Sequence, residues 1–250
     1  MAIITSVQNP TESQLRIDLA AAFRISERYD WHEGIANHFS VAVGDESSEF
    51  LINPKWRHFS NIKASDLVLL RADDDTTMQG PDAPDPTAWY LHGTLHKELP
   101  HARCIMHLHP PYTTALSCLK DPRLKPIDQT TARFFNRIAI DMQYGGMADN
   151  IAEARRICEL LRDKSVLLMG NHGILVLGNS VAEAFDTMYH FERAAKTLMM
   201  VYNSGQPVSV LSDEIAEKTA RGWSKVMHSA FTHLDQVKHM LDRLDDSYRQ

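Results

Sequence analysis

The run Ile105-Met106-His107-Leu108-His109-Pro110 carries two imidazoles, two residues apart, along an apolar strand and into a proline turn. Alternate residues of a strand share one face, so both rings can reach a single metal ion. Cys104 stands at an odd offset from His107, which puts its sulfur on the opposite face as a core residue. A further histidine, His172, lies where the apolar run Val166-Leu167-Leu168-Met169 meets Gly170-Asn171-His172-Gly173. Glycines on either side permit the tight backbone that carries a side chain into a cleft. The chain has 13 histidines, so one close pair alone decides little; the glycine-flanked third ring strengthens the case. Three neutral imidazoles leave zinc one open position, as in catalytic sites. The expectation is one Zn²⁺ per chain held by His107, His109 and His172, since nothing nearby supplies the oxygen cage of Mg²⁺ or Ca²⁺.

The chain is expected to form one layered α/β domain spanning 1–250, with 213–250 as a C-terminal helical extension. Residues 73–86 collect Asp, Thr, Gly and Pro but are too few to separate folding units. A net charge of -6 without any basic run argues against a nucleic-acid partner. No apolar stretch approaches a transmembrane length, and the N-terminus lacks a charged region with a cleavage site, so a soluble chain with no membrane partner is expected. Cys104, Cys118 and Cys158 are too scattered for a disulfide framework and fit a reducing cytoplasm.

Thr11 is placed to cap an amphipathic helix with Leu15, Leu19, Ala22, Phe23 and Ser26 on one face. Segments 39–43 and 49–53 read as a hairpin, and 68–70 as a third strand. A helix follows Asp85-Pro86, carries Trp89, Leu91, His92 and Leu95, and stops at Leu99-Pro100 because proline cannot continue it. Further helices are expected over 112–119, 150–162 and 180–203, and strands over 165–169 and 174–177. Met188, Tyr189, Met199, Met200 and Tyr202 on the long helix read as core or oligomer contacts. From Asp213 onward the chain is helical, with Trp223, Val226, Ala230 and Leu234 on one stripe and a break near Gly222.

His-x-His-Pro after an apolar strand, Asn171-His172-Gly173 leading into Ile174-Leu175-Val176, and a helix opening at Ser180-Val181-Ala182-Glu183 together resemble the class II aldolase and adducin head family. Gly34-Ile35-Ala36-Asn37-His38-Phe39-Ser40, Phe50-Leu51-Ile52-Asn53-Pro54 and Ser65-Asp66-Leu67-Val68 extend the likeness over most of the chain in order. The resemblance implies a three-layer α/β/α sandwich around a mainly antiparallel sheet. It also implies a homo-oligomer, commonly a ring tetramer, and a zinc-dependent lyase whose metal stabilises an enediolate. The family's zinc ligands fall on His107, His109 and His172.

The pattern departs from the family at one decisive place. Aligning the helix through Trp89 and His92 puts Ala88 where a glutamate normally moves the proton, a loss on the order of 10²- to 10⁴-fold in rate. This points to the adducin-like branch that lacks the carboxylate. His92, one helical turn on, is a candidate base or fourth ligand. Tyr112 and Tyr144 are candidate proton donors. The family's phosphate-binding places hold bulkier groups here: Asn37 and His38, Lys55 to His58, and Asp85 to Thr87. A small hydroxy or keto acid, or a sugar-derived substrate, is therefore favoured over a sugar phosphate, with Asn37, His38 and Arg57 as substrate-binding candidates and Arg57 as a bidentate carboxylate anchor. Retro-aldol cleavage and decarboxylation both remain open, the second because losing CO₂ from a β-keto acid needs no proton removed from carbon. The competing reading is a non-catalytic adducin-like interaction module, against which the retained imidazoles count.

Overall fold

A computed structural model describes residues 10–44, 48–143 and 150–250. The chain opens with α1 (Glu12–Arg28), capped by Thr11, whose side chain accepts from the Gln14 amide. Three strands follow, β1 (His38–Val43), β2 (Glu49–Ile52) and β3 (Val68–Arg71), each antiparallel to the one before. Next comes α2 (Pro86–Glu98), started by the Asp85 carboxylate on the Thr87 amide with proline at its first position. It leads into β4 (Cys104–Leu108) and the short α3 (Pro111–Ser117). Then come α4 (Gln129–Ala132), β5 (Ile138–Asp141), α5 (Ile151–Leu161), β6 (Val166–Met169) and β7 (Gly173–Gly178). Three α-helices follow, α6 (Val181–Asn203), α7 (Asp213–Lys225) and α8 (Ser229–Asp242), and a 3₁₀ turn over Asp246–Arg249 comes last.

The strands form one sheet in the order β3-β2-β1-β4-β7-β6-β5. Every pairing is antiparallel except β5 with β6, which α5 connects as a crossover. Helices α1, α6 and α8 cover one face, and α2 and α5 cover the other. Strand alternation sorts the side chains between these layers. Phe39, Val41, Cys104, Met106, Leu108, Ile174 and Val176 enter the core under α1 and α6. Ile105, Leu167, Leu175 and Leu177 enter a second core with Leu91, Leu95 and Ile157 of α2 and α5. Cys104 is thus buried on the face away from His107, as its offset requires. The architecture is the three-layer α/β/α sandwich around a mainly antiparallel sheet.

Among the details that differ from the sequence reading, two bear on the layers of the fold. The helix break lies at residues 226–228 and not near Gly222, which sits inside α7. A single glycine costs a helix about 1 kcal/mol, less than the packing that redirects the chain. Ala216 and Ala220 bury one side of α7, Ala230, Leu234, Val237 and Leu241 bury one side of α8, and Val226 between them is 43% exposed, so no continuous stripe runs through it. The second difference is β5, a short, half-buried strand at the sheet edge that periodicity does not flag.

Candidate metal centre

Antiparallel pairing of β1 with β4 places His38 directly opposite His107, and pairing of β4 with β7 places His107 opposite Leu175. His109 follows β4 by one residue, and His172 closes the three-residue turn from β6 to β7. In that turn Asn171 takes a left-handed backbone (φ 56°), which asparagine tolerates better than most residues. Gly173 is required by close approach: a Cβ there would lie 2.5 Å from the His109 ring and 2.5 Å from the Leu108 carbonyl oxygen. Removing that methyl lets β7 pass beside His109, and so brings His172 to the other two rings.

The three rings meet edge to face, with centroids 4.9 Å apart for His107 and His109, 4.9 Å for His107 and His172, and 4.8 Å for His109 and His172. One nitrogen from each lies within 4.8 Å of the others. The Nε2 atoms of His107 and His109 are 3.2 Å apart, close to the roughly 3.4 Å edge of a tetrahedron built on zinc–imidazole bonds. His107 Nδ1 donates to the Ile174 carbonyl at 3.0 Å, which fixes its tautomer and leaves Nε2 as a lone-pair donor. His109 Nδ1 stands 3.7 Å from a Glu33 carboxylate oxygen, a carboxylate behind a candidate ligand. Burial pushes all three imidazoles below their ordinary pKa, His172 to about 4, and neighbouring histidines lower His107 and His172 further. They are therefore neutral at pH 7, the form that binds metal. The donor set fits a divalent ion.

The turn after β4 is held from the opposite layer. Glu192 of α6, buried, accepts from the amides of Tyr112 (3.0 Å) and Thr113 (2.8 Å) and from the Thr113 hydroxyl (2.6 Å). This carboxylate caps the start of α3 and so anchors the backbone that carries His109.

The imidazoles lie in a cleft of about 230 Å³ whose walls include Ile35, Trp56, Pro84, Leu91 and Met169. Its polar lining includes Asn37, His38, Asn53, Lys55, Asp85 and Thr87, and Ala88 also lines it, leaving a methyl where a carboxylate would reach in. Asn37 is at the wall, but its Oδ1 accepts from the Glu33 amide. His38 belongs to the wall as well, with burial holding its pKa down at about 4.

Three sequence candidates lie elsewhere. His92 is fully buried behind His38, its Nε2 2.7 Å from His38 Nδ1, and is not part of the cleft lining; the helix turn that follows Ala88 points at β1. Arg57 is paired with Asp66 and absent from the cleft wall, so its carboxylate partner belongs to this chain; the cation at the wall is Lys55. Tyr112 packs at the edge of the α6 core with the Lys196 ammonium 5.2 Å from its ring centroid. Tyr144 lies outside the described residues. Glu33, Lys55 and Ser40 are not among the site residues singled out from the sequence. Lys55 is legible as part of the 55–58 loop, from which Arg57 is chosen instead, and Ser40 by its spacing of two from His38 on one strand face; Glu33 carries no such sign.

The fold and site together define an α/β/α sandwich with a three-imidazole cluster able to hold a divalent metal at one end of its sheet. The profile of the Class II Aldolase and Adducin N-terminal domain matches residues 17–199, and the chain belongs to that family. It is 29% identical to an adducin-related protein of Schizosaccharomyces pombe, over 95% of this chain and 77% of that protein. Among solved structures it resembles an aldolase II superfamily protein from Pseudomonas syringae, with TM-score 0.86, 28% identity and 98% of both chains covered. It also shares the fold of an L-fuculose 1-phosphate aldolase from Glaciozyma antarctica, with TM-score 0.81, 20% identity and 97% of both chains covered. No helix among the described residues is long and apolar enough to cross a membrane.

Proposed function

We propose that this protein is a zinc-dependent carbon–carbon lyase acting on a small hydroxy or keto acid. The observation that carries this reading is the convergence of three neutral imidazoles, one tautomer fixed by a backbone carbonyl, at the wall of a cleft. His107, His109 and His172 would hold the ion, which would supply Lewis acidity to the substrate's oxygens during carbon–carbon bond cleavage. Lys55 meets the substrate carboxylate, taking the place first assigned to Arg57. With Ala88 in the wall, proton transfer passes to His38, the neutral imidazole that lines the cleft beside His107, its ring centroid 5.0 Å from that of His107.

Ala88 also supports placement near the adducin-like branch. In retro-aldol cleavage His38 Nε2 takes the proton of the substrate hydroxyl and returns it to the carbon freed by bond breaking; in decarboxylation, which tolerates the missing carboxylate, the carbon that loses CO₂ takes its proton from water by way of His38. We read the working form as a cytoplasmic homo-oligomer, which agrees with three free cysteines and with apolar side chains such as Met200 on the outside of α6. The test is a panel of small β-keto and hydroxy acids, beside fuculose and ribulose phosphates, assayed with the zinc-loaded protein. Turnover of an acid is expected, abolished by chelation and reduced on the order of 10²-fold or more by His38→Ala. The sugar phosphates are expected to be nearly inert until Ala88→Glu restores a carboxylate. Brisk sugar-phosphate cleavage by the unmodified protein, with no acid turned over, would overturn the substrate assignment; an inert zinc-loaded protein would favour the interaction module.

A further inference from the structure

Behind His38 lies an unbroken line of buried hydrogen bonds between β1 and α2. His38 and Ser40 point from the same face of the strand, and His92 and His96 stand one turn apart on the helix. The spacing of alternate strand residues, about 6.7 Å, matches one helical turn closely enough for the two pairs to interlock. His96 Nδ1 lies 2.6 Å from the Ala102 carbonyl oxygen, and its Nε2 lies 2.7 Å from Ser40 Oγ. Ser40 Oγ lies 2.5 Å from His92 Nδ1, and His92 Nε2 lies 2.7 Å from His38 Nδ1. His92, His96 and Ser40 are fully buried.

Donor counting gives this line one direction. A carbonyl only accepts, so His96 must carry its proton on Nδ1. A neutral imidazole has one N–H, so His96 Nε2 accepts from the Ser40 hydroxyl. The hydroxyl has one proton and has spent it, so His92 Nδ1 must donate to Ser40. His92 Nε2 is then an acceptor, and His38 Nδ1 must donate to it. His38 is left with Nε2, on the ring edge away from His92, as a lone pair. Burial keeps the rings neutral throughout, with His92 well below its ordinary pKa and His96 at about 3.

We propose that Ser40, His92 and His96 are positioning residues that set the tautomer of His38, so that its Nε2 faces the cleft as a proton acceptor. This rests on the reading of His38 as the proton-transfer residue. It also gives His92 a role different from the one its place in the sequence suggested: it acts through His38 and meets no substrate. The arrangement needs no titration to work, because the Ala102 carbonyl fixes every proton in the line.

The test reads tautomers and not turnover, so it is independent of whether a lyase substrate is found. The full chain, labelled with ¹⁵N-histidine and freed of metal by a chelator, is examined near pH 7.5 by long-range ¹H–¹⁵N correlation. His38, His92 and His96 are all expected as Nδ1–H tautomers, although neutral histidine in water favours Nε2–H. Assignment of any of the three to the Nε2–H form or to an imidazolium overturns the proposal. In Ser40→Ala, His92 loses its acceptor, and the His38 signal is expected to become a mixture of tautomers; Ser40→Thr keeps a hydroxyl and should restore the single form. An unchanged single His38 tautomer in folded Ser40→Ala would contradict the line of control. Should Ser40→Ala not fold, the unmodified protein's spectrum still decides. With an acid substrate in hand, Ser40→Ala should lower kcat about tenfold or more with KM little changed, whereas failure of the lyase reading would leave the tautomer result standing.

Discussion

Two buried polar networks flank the sheet, and they are built on opposite electrostatic principles. On the α2 side the line from His38 to His96 is neutral, both nitrogens of His92 and His96 and the Nδ1 of His38 are hydrogen-bonded, and it ends at the wall of the cleft with His38 Nε2. On the α6 side a charged cluster centres on Asp186, which receives Arg133 Nη2 at 2.7 Å and His233 Nδ1 at 2.7 Å, with both Arg133 and Asp186 side chains nearly inaccessible. Its partners come from the segment after α4 and from α8, so it ties three parts of the helical layer together. A neutral network avoids the penalty of a buried charge and keeps its lone pairs available at the cleft; a charged one specifies which helices meet. The difference separates a network that reaches the cleft from one that joins helices.

The sharpest way to break this contrast is Asp186→Asn. It leaves the Arg133 guanidinium buried without its counter-ion, and the expected loss is about 3–5 kcal/mol of unfolding free energy. Denaturant titration measures it, and metal content should be unchanged in the folded variant because no candidate ligand touches Asp186.

The second test uses pH on the metal-free protein. His92 and His96 hold folded pKa values below the unfolded value of about 6.5, so the unfolded state binds more protons as the pH falls beneath that point. Their contribution is complete above about 6.5 and is lost on descending towards about 3, the folded value for His96, at up to about 1.4 kcal/mol per pH unit per imidazole. Asp186 is held well below the carboxylate range by its hydrogen bonds to His190 and His233 and by Arg133, which outweigh its burial. Its contribution is present above the unfolded value of about 3.9 and is lost only below it. Unfolding curves of the parent and Asp186→Asn should therefore run parallel between pH 6.5 and 4 and converge at lower pH. Convergence already at pH 6 would mean that the two networks do not titrate separately.

The smallest expected effect is that of Gly173→Ala. The added methyl meets the His109 ring and the Leu108 carbonyl oxygen, both at 2.5 Å. A destabilisation of about 1–3 kcal/mol is expected, with weaker metal retention under chelator challenge. A variant with full stability and unchanged retention would show that β7 can yield without disturbing His109.

Much of the centre was legible because it rests on local rules. Strand alternation joins His107 with His109 and separates Cys104, and the glycine-flanked turn marks His172. What stayed hidden depends on register and on distant partners. His38 stands beside the candidate ligands only because β1 pairs with β4 so that His38 meets His107. His92 shares a helix face with Ala88 in one dimension, yet the ring turns into the layer between α2 and β1. Arg57 looked free as a turn residue, whereas it pairs with Asp66 of a neighbouring 3₁₀ turn and is not among the residues lining the cleft. His96 was within reach of sequence reasoning, since it repeats His92 after one turn, but its partner Ser40 comes from another element. The break between α7 and α8 is set by which sides of the two helices are buried, so Gly222 was a misleading mark.

The central claim is that His107, His109 and His172 form one metal site. Elemental analysis of freshly purified protein beside His107→Ala, with circular dichroism confirming that both are folded, addresses it most directly. About one zinc per chain is expected in the unmodified protein and none retained in the variant. Full metal occupancy in folded His107→Ala would contradict it.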